Sequence, residues 1–275
     1  MEKKFETILL EKKNKIAYIT LNRPEIHNAF NDRMISELTE VFEDLKDQDD
    51  VRVIILTGKG KSFCAGADLK WMKKMKDFSY EENLEDSLAL SKMFYKMYSI
   101  KKPTICLVNG AAIGGGTGLV AVCDIAIAAT HAKFSFSEVK LGLVPACISP
   151  YVVKKCGEGR CREFFLTGER LSAEKACRAG LINFVVPLEE MNNFAEGITK
   201  QLITSGPEAI GMCKDLLSKV PEMSLKEAGK YTAEVISKMR ISDEGQEGMN
   251  AFFDKRKPKW TEEKENRKTH ETREN

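Results

Sequence analysis

The stretch from Lys102 to Asp124 combines a strand pattern with a run of glycines that can hold a negative charge. An apolar segment from Thr104 to Val108 lies between a proline and an Asn-Gly pair, which predicts a short buried strand that ends in a turn. Three glycines at 114–116 follow, and the small and apolar residues at 118–123 predict a buried helix. The first N–H groups of a helix have no intrahelical partner and lie at the positive end of its dipole. This turn can therefore hold an anion or a developing oxyanion.

The glycine run is also compatible with two roles that involve no oxyanion. Glycines permit a tight turn between packed elements without any ligand, and on this stretch alone that structural role is as well supported as the functional one. A nucleotide-binding loop is less well supported. The stretch contains no G-x-G-x-x-G in register and no Gly-Lys-Ser/Thr, so neither a dinucleotide fingerprint nor a phosphate loop is indicated.

Length and composition indicate a globular protein. The 275 residues suffice for one large domain or two smaller ones, and 43% hydrophobic residues can build a sizeable core. The 43 basic and 41 acidic residues are interleaved and leave a formal net charge of +2. This balance argues against a dedicated nucleic-acid surface, so we expect no nucleic-acid partner.

The N-terminal sequence and the cysteines indicate the compartment. The segment MEKKFETILLEKKNK is too charged for a secretory signal, and no apolar run approaches the ~20 residues that span a bilayer. We therefore expect a cytoplasmic protein with no membrane partner. Eight cysteines without a C-x-x-C pair, together with only three histidines, favour reduced, buried thiols over a zinc site or a disulfide framework.

Strand and helix patterns alternate along the first two thirds of the chain. Phe5–Leu10 and Ile16–Leu21 predict a hairpin, and apolar residues on one helical face predict a helix with Asp32 as its N-cap. Val51–Leu56 resembles a buried parallel strand. This alternation predicts an α/β core with parallel pairing. Further predicted elements are a helix from Asp68, a helix through Leu84 and Tyr95, strands at 124–128, 134–137 and 183–186, and helices at 149–156 and 172–179.

The pattern changes to helices alone after about Leu188. Pro207 fits a first helical turn, and Ser224 and Ser242 fit N-caps. We assign residues 1–195 to the core and residues 196–275 to a helical region that packs on the core or on a neighbouring subunit. The charged residues from Lys259 onward predict a frayed helix or disorder.

Several motifs, in this order and spacing, resemble the enoyl-CoA hydratase/isomerase (crotonase) superfamily over nearly the whole chain. The resemblance implies a spiral of ββα units with a C-terminal helical trimerisation region, assembled as a homotrimer or homohexamer. It also implies an acyl-CoA thioester as substrate and no separate cofactor, since CoA is part of the substrate. The motifs are LNRPEIHNAF, SFCAGADLK, NGAAIGGGTGLVAVCDIAIAA, SEVKLGLVP, LTGERLSAEKACRAGLIN and MNAFFDKRK.

The resemblance places a thioester carbonyl between the backbone N–H groups of Ala67 and Gly115. A donor of this kind, aimed at the enolate oxygen, is typically worth about 2.7 to 4 kcal/mol. The family's second acid/base carboxylate falls on Glu138, inside a matching SEVKLGL motif, although a glutamate at a strand end is ordinarily just a solvated charge. The first falls at Gly118, which has no side chain, so this sequence departs from the family pattern. Asp68, Asp124 and Glu158 are possible replacements, although the resemblance makes Asp68 and Asp124 structural.

One carboxylate can still serve two reactions. Glu138 can activate water for addition to the β-carbon, or it can move a proton between carbons as an isomerase base. The sequences around the glycine run and around Glu138 are most similar to those of hydratases of branched substrates such as 3-methylglutaconyl-CoA, so hydration ranks first. The alternatives are an enoyl-CoA Δ3-Δ2 isomerase and a non-catalytic homologue that binds CoA esters or RNA.

The remaining site residues follow from the resemblance. For Trp71 and Met72 in the expected acyl pocket, packing in the core is an equal possibility. For Lys255, an ordinary role on the surface is an equal possibility. Lys73 and Lys74 could meet a distal substrate carboxylate. The positions expected to contact CoA are Asn28, Ala29, Ala65, Gly66, Asp68, Leu69, Phe252 and Lys255, and the expected acyl pocket comprises Trp71, Met72, Gly118 and Val144.

Overall fold

The computed structural model describes residues 4–261, which form an α/β fold with two sheets. The strands are β1 (Ile8–Lys13), β2 (Ile16–Leu21), β3 (Val53–Gly58), β4 (Ser62–Cys64), β5 (Thr104–Val108), β6 (Ala111–Ile113), β7 (Ile125–Ala129), β8 (Lys133–Ser135), β9 (Arg170–Ser172) and β10 (Phe184–Val186). The helices are α1 (Asp32–Lys46), α2 (Leu69–Met75), α3 (Tyr80–Ser99), α4 (Gly115–Val122), α5 (Ser149–Thr167), α6 (Ala173–Arg178), α7 (Met191–Thr204), α8 (Pro207–Lys219), α9 (Leu225–Ile241) and α10 (Asp243–Phe253).

The larger sheet has the strand order β1-β2-β3-β5-β7-β10. The β1–β2 pair is antiparallel and every later neighbour is parallel, which confirms the predicted α/β class with parallel pairing. The hairpin strand β1 begins at Ile8 rather than Phe5 and ends at Lys13 rather than Leu10. The turn itself is only Asn14 and Lys15, which both have positive φ and so match the right-handed twist of the flanking strands.

The smaller sheet, with the order β4-β6-β8-β9, was absent from the sequence prediction. Its strands are three residues long, too short to show an alternating pattern, and only β8 was predicted as a strand, at 134–137. The strands β4, β6 and β8 are parallel, and β9 closes the sheet antiparallel to β8. Both glycine turns leave this sheet, one after β4 and the other after β6.

The predicted helical faces are largely confirmed. The α1 face of Met34, Leu38 and Phe42 is buried as its period required. The N-cap of α1 is Asn31 rather than Asp32, because the Asn31 side chain accepts a hydrogen bond from the Met34 N–H at 3.0 Å. Helix α5 extends well past its predicted end at Cys156, since a kink with φ of 73° at Gly157 interrupts the helix without ending it.

The chain divides into two compact units between Leu202 and Ile203. The second unit contains α8 to α10, with Pro207 in the first turn of α8 and with Ser224 and Ser242 as N-caps, all as predicted. Lys259–Thr261 form a short 3-10 helix, and the rest of the predicted frayed tail lies outside the described residues. None of the helices in residues 4–261 is long and apolar enough to cross a membrane.

The cysteines are unpaired thiols. Cys64, Cys106, Cys123 and Cys161 are buried, whereas Cys213 is exposed, so the predicted burial holds for only part of the set. Within the described part of the chain, no group of three or more His, Cys, Asp or Glu side chains is arranged to hold a metal ion.

Candidate active site

The two glycine turns lie side by side because β4 and β6 are parallel neighbours, with Cys64 paired to Ala112. The carboxyl ends of parallel strands meet at the same edge of a sheet, so the turns that follow them also meet. A Cβ on Gly116 would lie 2.3 Å from the Cys64 carbonyl oxygen. A Cβ on Gly66, which has a φ of +90°, would lie 3.0 Å from the Ile113 oxygen. Only glycine therefore permits this contact between the turns.

The first turn leaves the amide of Ala67 outside the local hydrogen bonds. Phe30 forms an isolated parallel bridge with Ala67. The two hydrogen bonds of this bridge run from the Phe30 N–H to the Gly66 oxygen at 2.6 Å and from the Asp68 N–H to the Phe30 oxygen at 2.7 Å. They flank Ala67, so the bridge does not use its N–H.

The second turn presents the first N–H of α4. Gly114, with φ of 53°, is the N-cap, and its oxygen accepts from Thr117 and Gly118. The N–H of Gly115 belongs to the first turn, where a helix has no internal acceptor. The Phe30 ring packs on this residue, 3.0 Å from the position of a Gly115 Cβ. Phe30 thus touches both turns, through its backbone at Ala67 and its ring at Gly115.

Glu138 places a carboxyl group beside the second turn. It lies in a 3-10 helix, Ser137–Leu141, and its Oε1 is 3.1 Å from the position that a Gly114 Cβ would take. Its Oε2 is buried and has no hydrogen-bond partner among the described residues. Burial raises the pKa of the Glu138 carboxyl above its ordinary value. A half-buried carboxylate that has one oxygen without a partner and a raised pKa has the properties of a general base.

Position 118 has no room for a side chain. A Cβ there would lie 2.2 Å from Cγ2 of Ile148 and 3.0 Å from Cζ of Phe94. The space next to α4 is therefore filled with apolar groups. Sequence inspection missed this partner of Gly118, although a glycine inside a buried helix indicates close approach by a neighbour.

The three replacement carboxylates are all engaged elsewhere. Asp68 pairs with Arg23 at 2.7 Å and caps α2. Asp124 accepts hydrogen bonds from the backbone N–H and the hydroxyl of Thr104, each at 2.8 Å. Glu158 is exposed and pairs with Arg162 one helical turn away. Glu138 is thus the carboxylate that the structure brings to the glycine turns.

The predicted CoA positions around the first turn differ in what they can offer. The Asn28 side chain is fully buried and accepts from the Arg23 N–H while donating to the Lys59 and Ser62 oxygens. Asn28 as a whole residue has no exposed surface, so neither its side chain nor its backbone is open to a ligand. Ala29 is also buried, and the N–H of Ala65 donates to the His27 oxygen at 2.9 Å. Leu69, in contrast, is exposed.

The predicted pocket residues are also unlike one another. Trp71 is buried, and its indole donates a hydrogen bond to Asp86, a carboxylate that the sequence did not single out. Met72 is half-buried, and Val144 is exposed on the loop that follows Glu138. Phe252 and Lys255 are exposed residues of the second unit.

Comparison with known proteins identifies the family. Residues 11–264 match the family model described as enoyl-CoA hydratase/isomerase. The crystal structure of an enoyl-CoA hydratase from Shewanella pealeana superimposes with a TM-score of 0.91 at 39% identity, covering 93% of this chain and 96% of that one. The short-chain-enoyl-CoA hydratase of Clostridium acetobutylicum is 32% identical over 91% of this chain and 95% of its own length. The crotonyl-CoA hydratase of Syntrophomonas wolfei is 33% identical over 92% and 97%, respectively. The chain, with its two glycine turns and its crotonase fold, belongs to the enoyl-CoA hydratase/isomerase family of enzymes.

Proposed function

We propose that this enzyme catalyses the reversible addition of water to the double bond of an α,β-unsaturated acyl-CoA. The observation that carries the proposal is the Glu138 carboxyl beside the two adjoining glycine turns, with its Oε2 buried and without a hydrogen-bond partner among the described residues. The names of the similar proteins, which include a short-chain-enoyl-CoA hydratase and a crotonyl-CoA hydratase, support the reaction type.

The backbone N–H groups of Ala67 and Gly115 hold the thioester oxygen in this proposal. Attack at the β-carbon moves negative charge onto that oxygen, and donors fixed in advance stabilise the resulting enolate without reorganising. The Ala67 N–H is outside its bridge, and the Gly115 N–H lies at the positive end of α4. Glycine and alanine at these turns let the thioester approach the amides closely.

Glu138 carries the proton in both steps. Its carboxylate accepts a proton from water as the water oxygen forms a bond to the β-carbon, and the electrons of the double bond move to the thioester as an enolate. The protonated Glu138 then gives that proton to the α-carbon, which regenerates the carboxylate and completes the addition of one water molecule. A pKa raised by burial suits both halves of this cycle, because the group must accept and release a proton.

The proposed substrate is a branched enoyl-CoA such as 3-methylglutaconyl-CoA. The sequences GGGTGLVAVCDIAIA and SEVKLGLVPACISPYVV support it by their similarity to hydratases of branched substrates. The proposed acyl pocket is the one expected from the sequence, with Trp71 on its wall. The first glycine turn is proposed to hold CoA, and Phe252 and Lys255 are proposed CoA contacts from the helical region of an adjoining subunit.

An isomerase remains the second candidate, and one observation favours it. Proton transfer between the α- and γ-carbons needs one carboxylate and no activated water. The side chains of Ile148 and Phe94 close the space at Gly118, so no second carboxylate can enter there.

The deciding experiment uses the purified full chain with crotonyl-, 3-methylcrotonyl- and 3-methylglutaconyl-CoA. Loss of the enoyl absorbance, with ¹⁸O from labelled water in the product, is expected for at least one of these thioesters and most strongly for 3-methylglutaconyl-CoA. A 3-enoyl-CoA that is converted to the 2-enoyl isomer without uptake of ¹⁸O would favour the isomerase. Tight binding of all thioesters without turnover would refute both activities.

A further inference from the structure

Three side chains lie against glycines at the N-terminal end of α4. The carboxyl of Glu138 lies at Gly114, the ring of Phe30 lies at Gly115, and Ile148 lies at Gly118. The Gly118 N–H donates to the Gly114 oxygen at 3.2 Å, so Glu138 and Ile148 approach the two ends of a single helical turn. One turn of an α-helix rises only about 5.4 Å.

We propose that Ile148 is a positioning residue for the Glu138 carboxyl: it fills the space that Gly118 leaves and keeps water and any second side chain away from that carboxyl. The inference rests on the proposed function, because it takes Glu138 as the acid/base group. Ile148 itself is only 3% exposed, so it acts through Glu138 rather than on substrate.

Glu138 and Ile148 lie at the two ends of one short segment, and backbone hydrogen bonds fix both ends. Glu138 begins it in the 3-10 helix, where its carbonyl oxygen accepts from the Leu143 N–H at 3.0 Å. Ile148 ends it as the N-cap of α5, where its carbonyl oxygen accepts from Tyr151 and Val152. The aromatic contact between Phe94 and Phe30, with centroids 6.3 Å apart, links this apolar wall to both glycine turns. The apolar wall at Gly118 thus lies one helical turn from the point where the Glu138 carboxyl meets Gly114.

No neighbouring charge accounts for the state of Glu138 in the described residues, since burial raises its pKa and the hydrogen bond to its own N–H lowers it. Helix α4 has no titratable side chain. Lys140, on the same 3-10 helix as Glu138, lies along Gly168. Asp86 accepts a hydrogen bond from Trp71, and its charge helps to raise the pKa of Cys147. The titratable groups of α5 are engaged in other contacts: Tyr151 with Phe94 and Tyr98, Lys155 with the Cys123 oxygen, Glu158 with Arg162, Arg160 with Glu163, and Cys156 with Cys161.

The exclusion of water follows from packing. A side chain that fills its space leaves no room for a water molecule. Shortening Ile148 opens a cavity at Gly118, one helical turn from the carboxyl, and on this proposal water that enters it solvates the charged form of Glu138. The carboxyl then titrates at lower pH and loses its fixed position, which lowers its basicity and its alignment together.

The test compares Ile148→Ala with Ile54→Ala, a matched truncation of a fully buried isoleucine in β3. The acidic limb of the kcat/KM profile is expected to move to lower pH in Ile148→Ala and to stay in place in Ile54→Ala. A loss of roughly tenfold or more in kcat, with little change in KM, should accompany the shift, because small displacements of a catalytic group are costly. If Ile148→Ala does not fold, Ile148→Val removes a single methylene carbon and should shift the limb in the same direction.

A carboxyl titration separates this inference from the proposed function. ¹³C-labelled glutamate allows Glu138 to be followed by NMR, with its resonance assigned by its absence in Glu138→Gln, and this readout needs no turnover. Titration of Glu138 at the same pH in wild type and Ile148→Ala would overturn the inference even if the enzyme hydrates its substrate. A shift to lower pH in Ile148→Ala, and none in Ile54→Ala, supports the inference even if no tested thioester is hydrated.

Discussion

Glu138 carries the whole acid/base role if no other carboxylate reaches the site. The other candidate carboxylates, Asp68, Asp124 and Glu158, are engaged in other pairs. Position 118 has no room for a side chain that could carry a second carboxylate. Glu138→Gln keeps the size of the side chain but cannot accept a proton. We expect kcat to fall by more than the roughly 10² to 10⁴ typical of general acid–base catalysis. Binding of a CoA ester should change little, since the Ala67 and Gly115 amides remain.

Steady-state kinetics and calorimetric binding of an unreactive acyl-CoA measure the two effects separately. Glu158→Gln is the matched control, because that glutamate is exposed and pairs only along its own helix. Near wild-type kcat in Glu138→Gln would remove Glu138 from the mechanism.

The raised pKa of Glu138 also predicts a cost in stability. The folded protein holds the proton at pH values where the unfolded chain has released it, so stability falls as the pH rises through the window between the unfolded and the folded pKa. Glu138→Gln removes this cost. We expect the variant to unfold at higher temperature than wild type at pH 7 and to lose that advantage at a pH below the ordinary glutamate pKa. Thermal unfolding of both proteins at both pH values measures this difference in unfolding temperature. An equal difference at the two pH values would contradict a raised pKa for Glu138.

Glu37 provides the opposite case on α1. Burial pushes its pKa up, but hydrogen bonds from the Thr7 hydroxyl and from the N–H groups of Glu6 and Thr7, with that of Arg33, outweigh burial and lower it overall. Its contribution to stability is therefore present above the unfolded pKa and is lost as the pH falls through the folded one.

Glu37→Gln should destabilise the protein by about 1.5 to 3 kcal/mol at pH 7, the typical worth of a hydrogen bond to a charged group. The loss should shrink at acidic pH, where the wild-type carboxyl is itself protonated. Urea unfolding across pH measures both effects. A loss that does not vary with pH would show that the charge of Glu37 is immaterial.

At the scale of elements, the contact between the two glycine turns can be tested at Gly116. A Cβ there would meet the Cys64 oxygen at 2.3 Å, a backbone atom that can move only with β4. Gly116→Ala should therefore cost about 1 to 3 kcal/mol, as overpacking usually does. It should also lower kcat by more than the loss of folded protein explains, because separating the turns moves the Ala67 and Gly115 amides apart. Gly159→Ala is the control, since no described residue beyond its own helical neighbours lies within 4 Å of its Cβ position and alanine favours helix. Equal activity in the two variants, measured per folded molecule, would contradict the proposed amide pair.

The sequence predicted α1 because its burial is periodic and β5 because its apolar run is continuous. The α1 face and the parallel strand β5 could be inferred residue by residue. The smaller sheet could not, because a three-residue strand such as β6 has too few positions for a period and is defined by its partners. The same limit applies to the site. Its motifs indicated Ala67, Gly115 and Glu138, but the contact between Gly118 and Ile148 joins distant positions and is visible only in three dimensions.

At the scale of the whole molecule, the second unit carries many apolar side chains that the described residues do not cover. Leu225 is 93% exposed, Ile241 79% and Leu217 77%, and Phe252 and Phe253 are exposed at the end of α10. On α9, Val235 is buried, whereas the next residue, Ile236, is exposed. A monomer seldom exposes so much apolar surface, which usually marks a protein–protein interface.

We therefore expect trimers, or dimers of trimers, assembled through the helical region. Light scattering coupled to size exclusion at micromolar concentration should give three or six times the 30.9 kDa chain mass. Ile241→Glu should shift the population toward monomer, because burying an unpaired carboxylate in an apolar interface is costly. Leu9→Glu, a charge placed on an exposed leucine of β1 in the first unit, should leave the assembly intact. A wild-type monomer, or a Leu9→Glu variant that dissociates while Ile241→Glu does not, would place the interface elsewhere or remove it.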